Sequence, residues 1–254
     1  MTPQHIELIK ATIPVLRENG VALTSYFYQR MLKNHPELKN TFNLDHQSSG
    51  MQPRALAGAV LAYAENIENP SVLAKAVERI TTKHVSLNIQ PEQYAIVGEN
   101  LLHSISEVLD VPMDADLIAA WKEAYTQLAE LLIGVEKAKY AALAENNGGW
   151  TGWRQFKIAS INEHAQGKQF VLRAADEQAI PDAAASDYIS VRVQVPGQTL
   201  VQPSQFSFAE AQHAQYSIDV ATPTESSEFT VNKILLEHYQ VGDVVEVSAP
   251  LSNA

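Results

Sequence analysis

The spacing of apolar residues changes character once along this chain, near residue 147. Before it they recur at intervals of three and four. Val72, Leu73, Ala76, Val77, Ile80 and His84 fall on one helical stripe. Tyr94, Val97, Leu101, Ile105 and Val108 fall on a second, and Trp121, Tyr125, Leu128 and Leu132 on a third. Pro36 and Pro91 stand where first helical turns are expected, since an N–H missing there has no intrahelical partner to lose. Asn69-Pro70-Ser71 separates two further helical stretches, and Gly20 carries no special weight. The first part therefore reads as all-helical.

Asn146-Asn147-Gly148-Gly149 is a turn-rich junction, and the period beyond it becomes two. Tyr188 to Val195 alternates for eight residues and then meets Pro196-Gly197. Residues 154–159, 169–172, 215–220 and 243–247 read as further strands, with a helix over 231–239 stopped by Gly242. Short strands with one late helix indicate a small antiparallel β-barrel. The organisation expected is α then β, with domains at 1–147 and 148–254.

Composition narrows the chemistry. Eighteen Lys and Arg against 29 Asp and Glu give a net charge of -11, which repels nucleic-acid phosphates and anionic membrane surfaces. The chain has no cysteine, so thiolate catalysis, zinc-thiolate sites and iron–sulfur clusters are excluded. A metal must be held by His, by a carboxylate or inside an organic cofactor. The first ten residues do not read as a signal peptide, and no apolar run is long enough to span a bilayer. A cytoplasmic protein is expected.

His84 is the candidate metal ligand, because it ends an apolar helical stripe and a neutral imidazole binds iron well. A single histidine on such a face is more often a core residue bonded to backbone. Glu136 adds to the case, because it continues the row of Leu128 and Leu132 where spacing calls for an apolar residue. A buried acid needs a partner. It also fits a half-exposed acid near a helix end. If His84, Tyr94 and Glu136 meet, the carboxylate fixes the imidazole tautomer and makes the ligand more electron-donating.

The run from Lys83-His84 through Gln90-Pro91-Glu92-Gln93-Tyr94 to Leu102 resembles the proximal region of bacterial flavohaemoglobins and of Vitreoscilla-type haemoglobins. Residues 11–16, 66–69 and 121–125 agree as well, so the resemblance covers 1–147. It implies an all-helical globin domain carrying haem b, with His84 on the iron and Tyr94 and Glu136 completing a proximal triad. On the distal side it implies Tyr28 as hydrogen-bond donor to a bound gas, Phe42 packing on the haem, and Gln52 and Leu56 beside the ligand. Packing alone would also account for Tyr28 and Phe42. Pro53 suggests a late start for the distal helix and leaves the direction of Gln52 open.

Residues 148–254 are similar to the ferredoxin-reductase-like FAD barrel that follows the globin in flavohaemoglobins. The resemblance lies in Gly148-Gly149-Trp150, in Trp153 to Ile158, and in Val241 to Pro250. Its cofactor motifs differ. Where the family has Arg-x-Tyr-Ser, this chain has Ser204-Gln205-Phe206-Ser207, and a serine supplies neither the charge nor the bidentate fork. Ala185-Ser186-Asp187-Tyr188 replaces Pro-Gly-Gln-Tyr, and Glu228 stands near the expected phosphate loop. Tyr188, Phe206 and Ser207 are the residues left for FAD, and a folded barrel without flavin is the favoured reading. A third alternative lines an aromatic slot with Tyr188, Phe206 and Tyr216. No dinucleotide-binding glycine motif follows a strand. The expectation is a naturally short form of the family with a degenerate barrel and no NAD domain.

Two functions follow from the resemblance. One is a carrier, store or sensor of oxygen and nitric oxide, with the barrel as an interaction domain. The other is a nitric oxide dioxygenase served by a separate reductase.

Overall fold

The computed structural model describes residues 1–208 and 210–252. Among them the chain forms seven α-helices and then, from Arg154, seven strands interrupted by an eighth helix. By contacts it divides into two compact units. The first comprises Met1–Leu38, His46–Glu78 and Gln90–Val135; the second comprises Lys39–Asp45, Arg79–Ile89 and Glu136–Ala254.

In the first unit lie α1 (Pro3–Ala11), α2 (Ile13–Asn34), α4 (Met51–Glu65), α6 (Pro91–Leu109) and most of α7 (Asp116–Glu145). The short α3 (Leu44–Ser48) and α5 (Ala74–Ser86) run across the division. Pro91 does open α6, in front of which Gln90 and Gln93 cap each other's backbone. Pro36 instead opens a single 3-10 turn, Pro36–Asn40. The buried side of α2 carries Leu16, Gly20, Leu23, Phe27 and Met31, at the expected intervals of three and four. Gly20 has more weight than its sequence context suggests. A Cβ added there would stand 3.5 Å from that of Ala57 on α4, so two small residues let the helices cross closely. Thr24 Oγ1 then donates to the Pro53 carbonyl at 2.7 Å and ties α2 to the start of α4.

In the second unit, β1 (Arg154–His164), β2 (Gly167–Ala174), β3 (Asp187–Gln194), β4 (Val201–Ser207), β5 (Tyr216–Ala221), β6 (Val244–Val247) and β7 (Leu251–Ser252) form one sheet. Its order is β4-β3-β6-β1-β2-β5, with β7 on β3, and every pairing is antiparallel. A helical domain followed by an antiparallel β domain is what the change of period implied. Phe156, Ile158, Phe170, Ile189, Val191, Phe206, Tyr216 and Val247 build the core, which α8 (Val231–His238) closes with Ile234 and Leu235. The residue pattern shows no sign of β4. Its fully buried side chain is Gln202, and Pro203 interrupts it, so it shows no apolar alternation. No described helix is long and apolar enough to cross a membrane.

Candidate functional site

α5 buries an unusual set of residues: Thr81, Thr82, Val85 and Ser86. Its apolar stripe, Ala76, Val77, Ile80 and His84, stays half-buried. The polar set is bonded to other elements. Lys139 Nζ donates to Thr82 Oγ1 at 3.0 Å, and Tyr140 donates its hydroxyl to the Ile89 carbonyl at 2.7 Å. Burial and the nearby Glu136 charge raise the Tyr140 phenol above its ordinary range, so it is a neutral donor. Neither tie was expected from sequence, because each joins a polar group to a position more than fifty residues away.

The end of α7 supplies the partner for His84. Glu136 Oε1 lies 2.7 Å from His84 Nδ1, a length typical of a charge-assisted hydrogen bond. The carboxylate is 3% exposed and the imidazole 31%. An acceptor on Nδ1 fixes the tautomer and orients Nε2, the nitrogen that suits a metal. The structure thus brings together His84 and Glu136. Among the described residues no cluster of three His, Asp or Glu exists that would hold a bare metal ion. One imidazole ligand backed by one buried acid fits iron already held in a macrocycle.

Tyr94 is placed in the first turn of α6, 8% exposed, and its carbonyl accepts from the Tyr125 hydroxyl at 2.6 Å. Gly98 makes room for that ring: an added Cβ would lie 2.4 Å from Tyr125 Cε1. Tyr28 is buried on α2, with its ring edge-to-face on Phe27 at 4.9 Å between centroids. Burial holds its phenol above the ordinary range, again as a neutral donor. α4 begins at Met51, so Pro53 sits in the first turn, where its missing N–H costs no intrahelical bond. That is the helix start that Pro53 suggested. Gln52 Oε1 is buried without a hydrogen-bond partner among the described residues. Such an orphan costs about 1–3 kcal/mol and marks a place built for something polar. Leu56 is half-buried on the same helix. Phe42, half-buried, belongs to the second unit. α2 thus carries a buried neutral phenol, α4 an orphaned amide oxygen and α5 an imidazole locked in one tautomer.

The expected FAD residues are arranged differently. Tyr188 stands opposite Ser207 in the β3–β4 ladder, and Ile189 opposite Phe206. Successive side chains point to opposite faces, so Tyr188 and Ser207 share one face and Phe206 takes the other. Phe206 is 5% exposed within the core, and Tyr216, fully buried, donates to the Pro181 carbonyl. Tyr188, Phe206 and Tyr216 therefore do not line one slot. Tyr188 lies instead among Ser86 and Gln205, whose side chains bond its hydroxyl.

Residues 25–132 match the globin family model. The flavohemoprotein of Bordetella pertussis is 50% identical over 253 residues, covering 98% of this chain and 63% of its own. That of Rhizobium meliloti is 41% identical over 257 residues, covering 100% of this chain and 64% of its own. Among solved structures, the flavohemoglobin of Malassezia yamatoensis, with bound FAD and heme, superposes with a TM-score of 0.87. It is 27% identical over 99% of this chain and 64% of that one. A bacterial globin of Campylobacter jejuni, 41% identical, has a TM-score of 0.53 and covers 55% of this chain and 99% of its own. The chain thus spans less than two thirds of the length of these flavohaemoproteins. The matches do not support a degenerate short form, because the match at 50% identity spans 253 residues and so includes both the helices and the sheet. The helical residues belong to the globin family, and the chain is homologous to flavohaemoproteins along 98% of its length.

Proposed function

We propose that residues 1–147 form a haem-binding globin domain in which His84 Nε2 ligates the iron, and that residues 148–254 form the accompanying reductase-type barrel. The observation that carries this reading is the buried Glu136 carboxylate 2.7 Å from His84 Nδ1. Haem b supplies an iron centre that binds diatomic gases. Glu136 holds the imidazole in one tautomer and one orientation. Tyr28, kept neutral by burial, donates a hydrogen bond on the gas side, and the buried Gln52 amide is the further polar group there. Phe42 and Leu56 exclude water, and Tyr94 completes the proximal group with His84 and Glu136.

The role these residues support is binding oxygen and nitric oxide as carrier, store or sensor. A second reading is favoured by the homology to flavohaemoproteins through both domains. In it the chain is a nitric oxide dioxygenase, combining dioxygen, nitric oxide and one electron into nitrate. The electron then comes from a reductase. Ser204 replaces the arginine expected at a flavin pyrophosphate, so FAD at the barrel would rest on Tyr188 and Ser207 with their neighbouring amide and hydroxyl groups.

The test is an absorption spectrum of the purified protein, before and after NADH, with haem and FAD supplied. A Soret band that depends on His84 supports haem ligation, and its absence after haem supplementation refutes it. Flavin bands with reduction of the haem by NADH support the dioxygenase. Their absence leaves that activity to an added reductase, under which steady nitric oxide consumption is the deciding measurement.

A further inference from the structure

β4 is the strand hidden in the sequence, and both its backbone and its side chains bond residues outside the sheet. The Val201 N–H donates to Asn40 Oδ1 at 2.9 Å. Gln202 accepts from the Leu44 N–H on Oε1 and donates Nε2 to the Lys39 carbonyl, both at 2.8 Å. The Pro203 carbonyl accepts from Asn43 Nδ2 at 2.8 Å. Three successive residues of β4 therefore hold the segment on which Phe42 stands.

Two residues on, the same strand reaches a different segment. Gln205 Nε2 donates to Ser86 Oγ at 3.3 Å, beside Ser190 Oγ of β3 at 3.0 Å. Ser86 is 1% exposed and Ser190 fully buried. Ser86 in turn donates to the Lys83 carbonyl at 2.8 Å, within the turn of α5 that carries His84. The buried Ser248 hydroxyl accepts from the Ser190 N–H, so the node is anchored in the middle of the sheet.

Gln202 is informative because it is 0% exposed. Burying a primary amide is costly unless its groups are paired, and an apolar side chain would serve the sheet better. Both ends of this amide are paired, and each bonds the Lys39–Asp45 segment. The amide is placed to hold that segment, since the ladder between β3 and β4 runs through backbone groups.

We propose that β4 is a brace, with Gln202 and Gln205 as positioning residues that fix Phe42 and His84 through Leu44, Lys39 and Ser86. The proposal rests on the haem reading for its meaning. The geometry of both segments follows from the sheet, so a change in the sheet is conveyed to the iron's ligand.

The experiment uses the full chain loaded with haem and compares Gln202→Leu with a Gln205→Leu, Ser190→Ala double variant. Amide hydrogen exchange in Gln202→Leu is expected to rise about 5–30-fold in residues 39–45, as befits the loss of its two hydrogen bonds to that segment, with β1 and β2 unchanged. The double variant is expected to show the same rise in 82–89, together with a shift of the ferrous iron–histidine stretching band in resonance Raman. Restoring the hydroxyl with Ser190→Thr, in place of Ser190→Ala, returns part of both. Unchanged exchange in the two segments overturns the brace. So does a rise spread over the whole sheet, which would mean ordinary loss of stability. If the unsubstituted protein shows no iron–histidine band, the haem reading fails, and exchange in 39–45 and 82–89 alone decides whether β4 braces them.

Discussion

Replacing Glu136 by leucine should move two properties independently. In the apo protein the substitution removes a carboxylate that is 3% exposed and continues the row of Leu128 and Leu132. The imidazole left behind is half-exposed, so water can take up the bond that the carboxylate held. Apo stability in urea should therefore change by no more than about 1 kcal/mol. Retention of haem should fall sharply, because the 2.7 Å bond that orients the ligand is gone. Loss of such an outer partner costs about 10–100-fold in metal affinity, or about 1.4–2.8 kcal/mol. Glu136→Gln keeps an acceptor in place while removing the charge, and should fall between leucine and the unsubstituted protein. The assay is transfer of haem to an excess of a high-affinity apo-globin, followed at the Soret band, with urea unfolding of the apo form in parallel. Haem retention equal to that of the unsubstituted chain in Glu136→Leu would refute the claim that this carboxylate supports an iron ligand.

Three further outcomes follow from the geometry. Tyr28→Phe removes the buried donor and should speed oxygen dissociation about 5–30-fold in stopped-flow, matching the loss of about 1–2 kcal/mol; an unchanged rate would place the donor elsewhere. Gly98→Ala puts a methyl 2.4 Å from Tyr125 Cε1, so despite alanine's better helix propensity it should destabilise by about 1–3 kcal/mol in urea, and should cost less in a Tyr125→Leu background. The Arg154 guanidinium, then the Gln178 N–H, hold the Asp176 carboxyl below its ordinary value of 3.8. A depressed carboxylate contributes stability above its unfolded pKa and loses it as pH falls through the folded one. The stability difference from Asp176→Asn should accordingly be constant near neutrality, begin to shrink only near about pH 4 and vanish below the depressed folded pKa, and a difference that grows on acidification would reverse the assignment.

What could be read in the sequence is what repeats. The three helical stripes and the alternation of Tyr188 to Val195 report directly which face is buried, and they indicated helices and strands at those positions. Glu136 was legible for a related reason, as an acid breaking an apolar row. What stayed hidden depends on partners far along the chain. β4 has a buried glutamine and a proline where strand patterns require apolar residues. Gly20 and Gly98 matter through Ala57 and Tyr125, which no local pattern connects to them. Phe206 was read as a flavin contact from its motif, whereas register turns it inward.

The bond between Asn43 and Pro203 closes a loop of 160 residues. During synthesis the Lys39–Asp45 segment leaves the ribosome long before its partners exist. At about 5–20 residues per second the wait is roughly 10–30 s. Through that interval the helices can assemble from nearby contacts, while the segment bearing Phe42 lacks the groups that will hold it. Contacts so distant in sequence are slow to form. Capture of haem in its final geometry should thus be a late event on the nascent chain, timed by the arrival of β4.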